Sequence, residues 1–185
     1  MSYYDYYQPE AYIPSSDTYI EKDASINDRI ERLRLSATKA LIERHDVIVV
    51  ASVSCIYGLG KRENYEDAII HFNINDRIDQ HEFLSRLVNN YYERNDYNLE
   101  SGKFRVRGDT IEIFPAYEED RCIRVTFFDD EIERIDITNP LTGRVLEKVS
   151  EASIYPAQHY VTQKDAIEKA APMIQDELAK AEQDF

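Results

Sequence analysis

The sequence predicts an α/β protein with a projecting β-hairpin and an inserted small α+β unit built on an antiparallel sheet. Three observations lead there. A helix-patterned stretch runs directly into 47–54, a continuous β-branched run of the kind that parallel sheets cover on both faces. Alternating apolar and polar runs across 103–149 are separated by tight-turn signals. Six of the 14 tyrosines fall in the first 19 residues, where almost nothing else is apolar.

The opening segment holds Tyr3, Tyr4, Tyr6, Tyr7, Tyr12 and Tyr19, with Ile13 and Ile20 as its aliphatic exceptions. Pro9, Pro14 and Ser15-Ser16-Asp17 sit between its arms. Tyr and Thr favour strands, and Pro, Ser and Asp favour reversal, so 1–27 reads as an extended hairpin with rings on both faces. A tyrosine ring freezes only two torsions and offers a flat amphipathic plate. Such plates stack on nucleobases for about 1–3 kcal/mol per base. They equally pack on a neighbouring sheet, and composition leaves both readings open.

From Asp28, with Ser25-Ile26-Asn27 as its cap, a helix is expected to about Arg44. Ile26, Ile30, Leu33, Ala37, Ala40 and Leu41 form its apolar stripe. Arg29, Arg32 and Lys39 lie off the stripe, either toward phosphate or as a solvated face with local ion pairs. The run 47–53 is then expected as a buried strand, the second half of a helix–strand pair in a doubly wound domain. Ser52, Ser54, Cys55 and Tyr57 stand at its end, where open α/β sheets place ligand loops. Gly58-Leu59-Gly60 turns the chain but is no phosphate-binding loop, lacking the glycine spacing and the Lys-Ser/Thr pair.

Beyond Arg62 a short helix (63–70), a strand (71–74) and a helix (80–91) with Phe83, Leu84, Leu87 and Val88 inward are expected. Strands follow at 103–107, 110–114, 122–128, 131–138 and 144–149, with turns at Gly108-Asp109, Asp129-Asp130 and Thr142-Gly143. This makes 68–151 the α+β domain, flanked by 28–67 and 152–185 as pieces of one α/β core. Alternation puts Phe104, Val106, Ile111, Ile113, Ile123 and Val125 on the buried face and Arg105, Arg107, Glu112 and Arg124 on the other. Arginine's planar fork pairs with carboxylates in two-pronged fashion, so this row suits a docking face as well as a wet sheet face. At the end, 153–155 reads as a strand stopped by Pro156, before a helix that Pro172 kinks or breaks.

Composition excludes several classes. The 185 residues carry a net charge of −14, against a general nucleic-acid binder with a basic face. The balance is uneven: 28–67 is neutral, whereas 68–151 sums to −7. No apolar run approaches the roughly 20 residues that cross a bilayer, so no membrane association is expected. Cys55 and Cys122 give neither a disulfide framework nor metal spacing and are expected as reduced core thiols of a cytoplasmic protein. His45, His71, His81 and His159 are scattered, and no catalytic constellation emerges.

The strings SYYDYYQPEAYIPSSDTYIEKDASIND and VIVVASVSCIYGLG resemble the UvrB family, the damage-recognition subunits of bacterial nucleotide excision repair, and the similarity runs through nearly the whole chain. The resemblance implies that the α/β pieces are part of a helicase-like core. It also implies a hairpin that inserts between the strands of damaged double-stranded DNA. Contacts to DNA would fall on Tyr3, Tyr4, Tyr6, Tyr7, Tyr12, Tyr19, Lys22, Arg34, Ser52, Ser54 and Tyr57. The 68–151 unit is similar to the domain that binds UvrA, which implies contacts from Arg94, Arg105, Arg107 and Arg124. Thr126 departs from the family pattern, which is commonly acidic there. UvrC is expected as a partner only of longer members. Those members use ATP and Mg through a P-loop and an acidic motif, neither of which this sequence contains. The chain therefore looks like an internal segment with no cofactor and no ATPase activity of its own. A module that binds a protein partner and never touches DNA is the competing expectation.

Overall fold

The computed structural model describes residues 11–13, 18–20, 28–51, 62–159 and 161, with helical backbone at Pro172, Ile174 and Leu178. Strands β1 (Ala11–Ile13) and β2 (Thr18–Ile20) pair antiparallel, with Tyr12 opposite Tyr19. Residues 14–17, which carry the Pro14 and Ser-Ser-Asp signals, lie outside the described residues. Tyr3, Tyr4, Tyr6 and Tyr7 lie outside the described residues.

Helix α1 (Asp28–Glu43) is followed by α2 (Arg62–Asp67), β3 (Ile70–Asn73) and α3 (Gln80–Asn89). The Asp79 carboxylate caps α3, accepting from the Glu82 backbone N–H at 3.0 Å. Then come β4 (Glu93–Arg94), β5 (Lys103–Arg107), β6 (Thr110–Phe114), β7 (Cys122–Phe128), β8 (Glu131–Thr138), β9 (Val145–Val149) and β10 (Glu151–Ile154). Strands β4 to β9 form one six-stranded sheet in chain order, antiparallel except for the β4–β5 pair. β10 pairs separately with β3. The architecture is mixed α/β, with a meander as its centre.

Turn chemistry sets the register. β5 and β6 are joined by Gly108-Asp109, with Gly108 at φ +60°, and Arg107 faces Thr110 across the turn. Glycine at the first central position of a two-residue loop matches the twist of the flanking strands. The core lies between one face of the sheet and α3 with the β3–β10 pair. Phe83 and Leu87 of α3 are fully buried against Phe104, Ile111, Ile113, Val125, Phe127, Ile132 and Ile135. Phe83 meets Phe72 and Phe127 edge-on, at 5.2 and 5.6 Å between centroids. A smaller cluster joins Leu35 of α1 and Tyr65 of α2 to Ala116, Tyr117 and Tyr155.

Four expectations are corrected. Residues 47–51 form no strand, and Ile48 and Val50 are 91% and 94% exposed. A β-branched run becomes a central strand only where neighbours accept its backbone bonds, and among the described residues no strand pairs with it. The buried line of α1 is also rotated from the expected stripe: Ile30 and Leu35 are buried and Ile42 is partly covered, whereas Ala37 and Leu41 are exposed. The reason is that the tyrosine cluster approaches this helix from one side. Val88 of α3 points outward at 57% exposure, because the sheet contacts only the Phe83–Leu87 line. Finally, α2 ends at Asp67, earlier than expected, so that Ile70 enters β3.

Candidate functional site: the charged face of the sheet

On the face of the sheet turned away from α3, the ladder registers place Arg105 opposite Glu112, Glu112 opposite Arg124, Arg124 opposite Asp136 and Asp136 opposite Lys148. Charge alternates in sign across five strands. One step along, Arg107, Thr110, Thr126 and Arg134 form a second row. Opposed residues on one face of a ladder stand about 5 Å apart at Cβ, within reach of long polar side chains.

Glu112 is the centre of this face. It is 6% exposed and accepts from two arginines at once. Its Oε2 takes the Arg105 Nε–H at 2.5 Å, and its Oε1 takes Arg124 Nε–H at 3.0 Å and Nη2–H at 2.7 Å. Arg124 Nη2 also donates to the Gly143 carbonyl at 3.1 Å. Burial alone would push the Glu112 carboxyl up, but the hydrogen bonds and charges of Arg105 and Arg124 together hold it below the usual carboxylate value. Cys122 lies beneath the same face, and burial pushes its thiol up to about 12, which keeps it protonated and inert.

Asp136 is 1% exposed and pairs through Oδ2 with Arg134 Nε at 3.0 Å, while its Oδ1 has no hydrogen-bond partner among the described residues. Arg134 Nη2 also reaches Thr126 Oγ1 at 3.5 Å. Arg107 is exposed and forms no ion pair among the described residues. Arg94 stands apart: in β4, it is in register with Phe104 and is paired to Asp96 at 2.9 Å. The Asp96 carboxyl also accepts the Val106 backbone N–H at 2.9 Å, tying the β4 end to β5.

Of the residues with an expected role, the structure brings Arg105, Arg107 and Arg124 onto one face and leaves Arg94 at the sheet edge. Arg34, expected toward DNA, donates to Glu31 on its own helix at 2.9 Å. Arg32 and Lys39 of α1 pair with Glu119 at 3.3 Å and Glu118 at 3.1 Å, and Lys39 lies 4.6 Å over the Tyr117 ring. These cations attach α1 to the 115–121 loop through pairs made far along the chain, which differs both from contact with phosphate and from a solvated face with local ion pairs. Tyr12 and Tyr19 are placed in the ladder of the hairpin, whereas Lys22, Ser52, Ser54 and Tyr57 lie outside the described residues.

Sequence reasoning missed Arg134, Asp136 and Lys148. Period-two reading fails on β8 because a register shift between Thr126 and Phe127 makes Glu133 an extra residue. The trace in the sequence is the spacing of Ile132, Ile135 and Ile137, three residues and then two.

Residues 70–160 match the family described as the UvrB interaction domain. The UvrABC system protein B of Staphylococcus aureus is 56% identical over 178 residues, 96% of this chain and 27% of that protein. Its counterpart from Gloeobacter violaceus is 59% identical over 178 residues, again 96% of this chain and 26% of the relative. That from Idiomarina loihiensis is 56% identical over 179 residues, with coverages of 96% and 26%. The chain spans about a quarter of the length of these relatives. With such identity sustained along nearly all of its residues, and an interaction domain matched on the sheet that carries the charged face, the chain belongs to the UvrB family.

Proposed function

We propose that this chain serves UvrABC nucleotide excision repair as the docking and DNA-probing part of a UvrB-type protein. Its charged sheet face binds UvrA, and its tyrosine-rich hairpin enters damaged duplex, where weakened stacking lowers the cost of separating the strands. The 68–151 unit is the docking domain, and 28–67 with 152–185 belong to a helicase-like core. This stretch is assigned no cofactor and no hydrolytic step; ATP, Mg and UvrC belong to the longer proteins.

The observation that carries the docking half is the arginine row on a domain that is otherwise acidic. Arg105, Arg107 and Arg124 share one face, flanked by Arg134 and Lys148. In a unit of net −7, such a local excess of positive groups is a recognition feature for carboxylates rather than a by-product of composition. The antiparallel pairing of β1 with β2 supports the hairpin half.

The test is binding of the 185-residue chain to purified UvrA beside an Arg107→Glu variant. Arg107 is exposed and without an ion pair among the described residues, so reversing its charge leaves the fold intact and places repulsion against an acidic partner. Loss of affinity by about tenfold or more is expected, in line with charge reversal at a recognition face. Equal binding by a folded variant overturns the docking assignment. The net charge of −14 favours a second reading for the chain in isolation, a protein-docking module with no hold on DNA of its own.

A further inference from the structure

We propose that Glu112 is a positioning residue for recognition: it holds the Arg105 and Arg124 guanidiniums in fixed places, so that a carboxylate-bearing partner meets them already ordered. The inference rests on the docking reading above and goes beyond it, because Glu112 is buried and touches no partner itself.

Four observations carry it. Glu112 lies on β6, in register between the two arginines, and both of its oxygens are engaged. It engages Arg105 through Nε and Arg124 through Nε and Nη2, and no other hydrogen bond occupies the Arg105 terminal nitrogens or Arg124 Nη1 among the described residues. The Gly143 carbonyl is a second acceptor that fixes Arg124, at 3.1 Å from Nη2. Gly143 has φ +67°, a left-handed conformation that suits glycine, and a Cβ there would lie 3.5 Å from Arg124 Nη2. The two arginine side chains are 17% and 21% exposed, so each is largely covered yet reachable.

A buried ion network of this kind is weak evidence for stability, since apolar replacements of equal shape are often as stable or more so. Nor does it serve attraction, because a carboxylate at the centre of a cationic patch cancels positive charge. What it does supply is order. A free arginine loses rotamer freedom on binding. Pinning both through one carboxylate removes that loss before the partner arrives.

Attraction and positioning predict opposite signs for Glu112→Gln, which removes the negative charge and keeps the shape. Arginines acting as loose point charges would bind an acidic partner more tightly in this variant. Positioned arginines would bind about tenfold more weakly, with the loss in the off-rate while the salt-steered on-rate stays level or rises. The experiment is surface plasmon resonance of the 185-residue chain against UvrA. Wild type, Glu112→Gln, Glu112→Asp and Arg107→Glu are compared at two salt concentrations and well below their melting temperatures.

Glu112→Asp keeps the charge but draws the carboxylate back by one methylene, so it no longer reaches both arginines. A faster off-rate is expected in this variant too, and it decides the matter if Glu112→Gln does not fold. Affinity at or above wild type in either folded variant overturns the positioning role. If Arg107→Glu then still loses binding, the docking face stands and only the role of Glu112 falls. If Arg107→Glu binds like wild type, the docking reading itself has failed.

Discussion

Two β-branched runs in this chain meet opposite fates. Residues 122–128 become β7, the strand with neighbours on both sides in the middle of the sheet, where Val125 is fully buried. Residues 47–51 read Val-Ile-Val-Val-Ala, have the higher strand propensity, and form irregular chain in which 48–51 are exposed. The difference is the company of the backbone. β7 exchanges hydrogen bonds with β6 and β8, and α3 covers one of its faces. Strand propensity measures the fit of a side chain to a pleated, half-covered surface, so without such a surface it has nothing to express.

The contrast breaks most readily at Phe83, the ring that closes the core over β7. Phe83→Ala should cost about 3–5 kcal/mol, as expected for a fully buried phenylalanine replaced by a cavity. Urea denaturation followed by far-UV circular dichroism measures this, and a loss under about 1 kcal/mol would mean that the α3–sheet contact does not support the strand.

The outer face of the same sheet sharpens the comparison through pH. The folded-state Glu112 carboxyl lies below its ordinary value of 4.5, so its contribution to stability is complete above that value. It is lost as pH falls through the lowered folded value. Wild type should therefore lose stability on acidification below about pH 4.5, and Glu112→Gln should show a shallower acid slope in the urea midpoint. Identical slopes in the two proteins would place the acid-labile carboxylates elsewhere.

The smallest effect belongs to the exposed run. Val50→Ser should change stability by no more than about 0.5 kcal/mol, since the side chain is 94% exposed. A cost above about 1.5 kcal/mol would show that 47–51 is covered in solution and would erase the contrast.

Much of the sheet is legible in the amino-acid pattern. Strands 103–107, 110–114, 122–128 and 131–138 fall where the alternation and turn residues predict them. Gly108-Asp109 and Asp129-Asp130 mark reversals through local backbone chemistry, and Asp129 takes a left-handed φ of 56° that aspartate tolerates. The candidate face is half legible: Arg105, Arg107, Glu112 and Arg124 follow from period two, whereas Arg134 and Asp136 are hidden by the bulge at Glu133. Glu112 as the hub of that face is not legible, because alternation says which side a residue faces and nothing about what covers it.

What depends on near neighbours in the chain could be read from its residues: the helical stretches, the turns, the inward and outward sides of β5, β6 and β7, and family membership. Tertiary structure alone decided which line of α1 is buried, that 47–51 stays uncovered, and that one carboxylate sits between two arginines. Those outcomes depend on which surfaces meet across long separations, such as Lys39 with Glu118 or Arg124 with Gly143, and no local pattern encodes a partner so far along the chain.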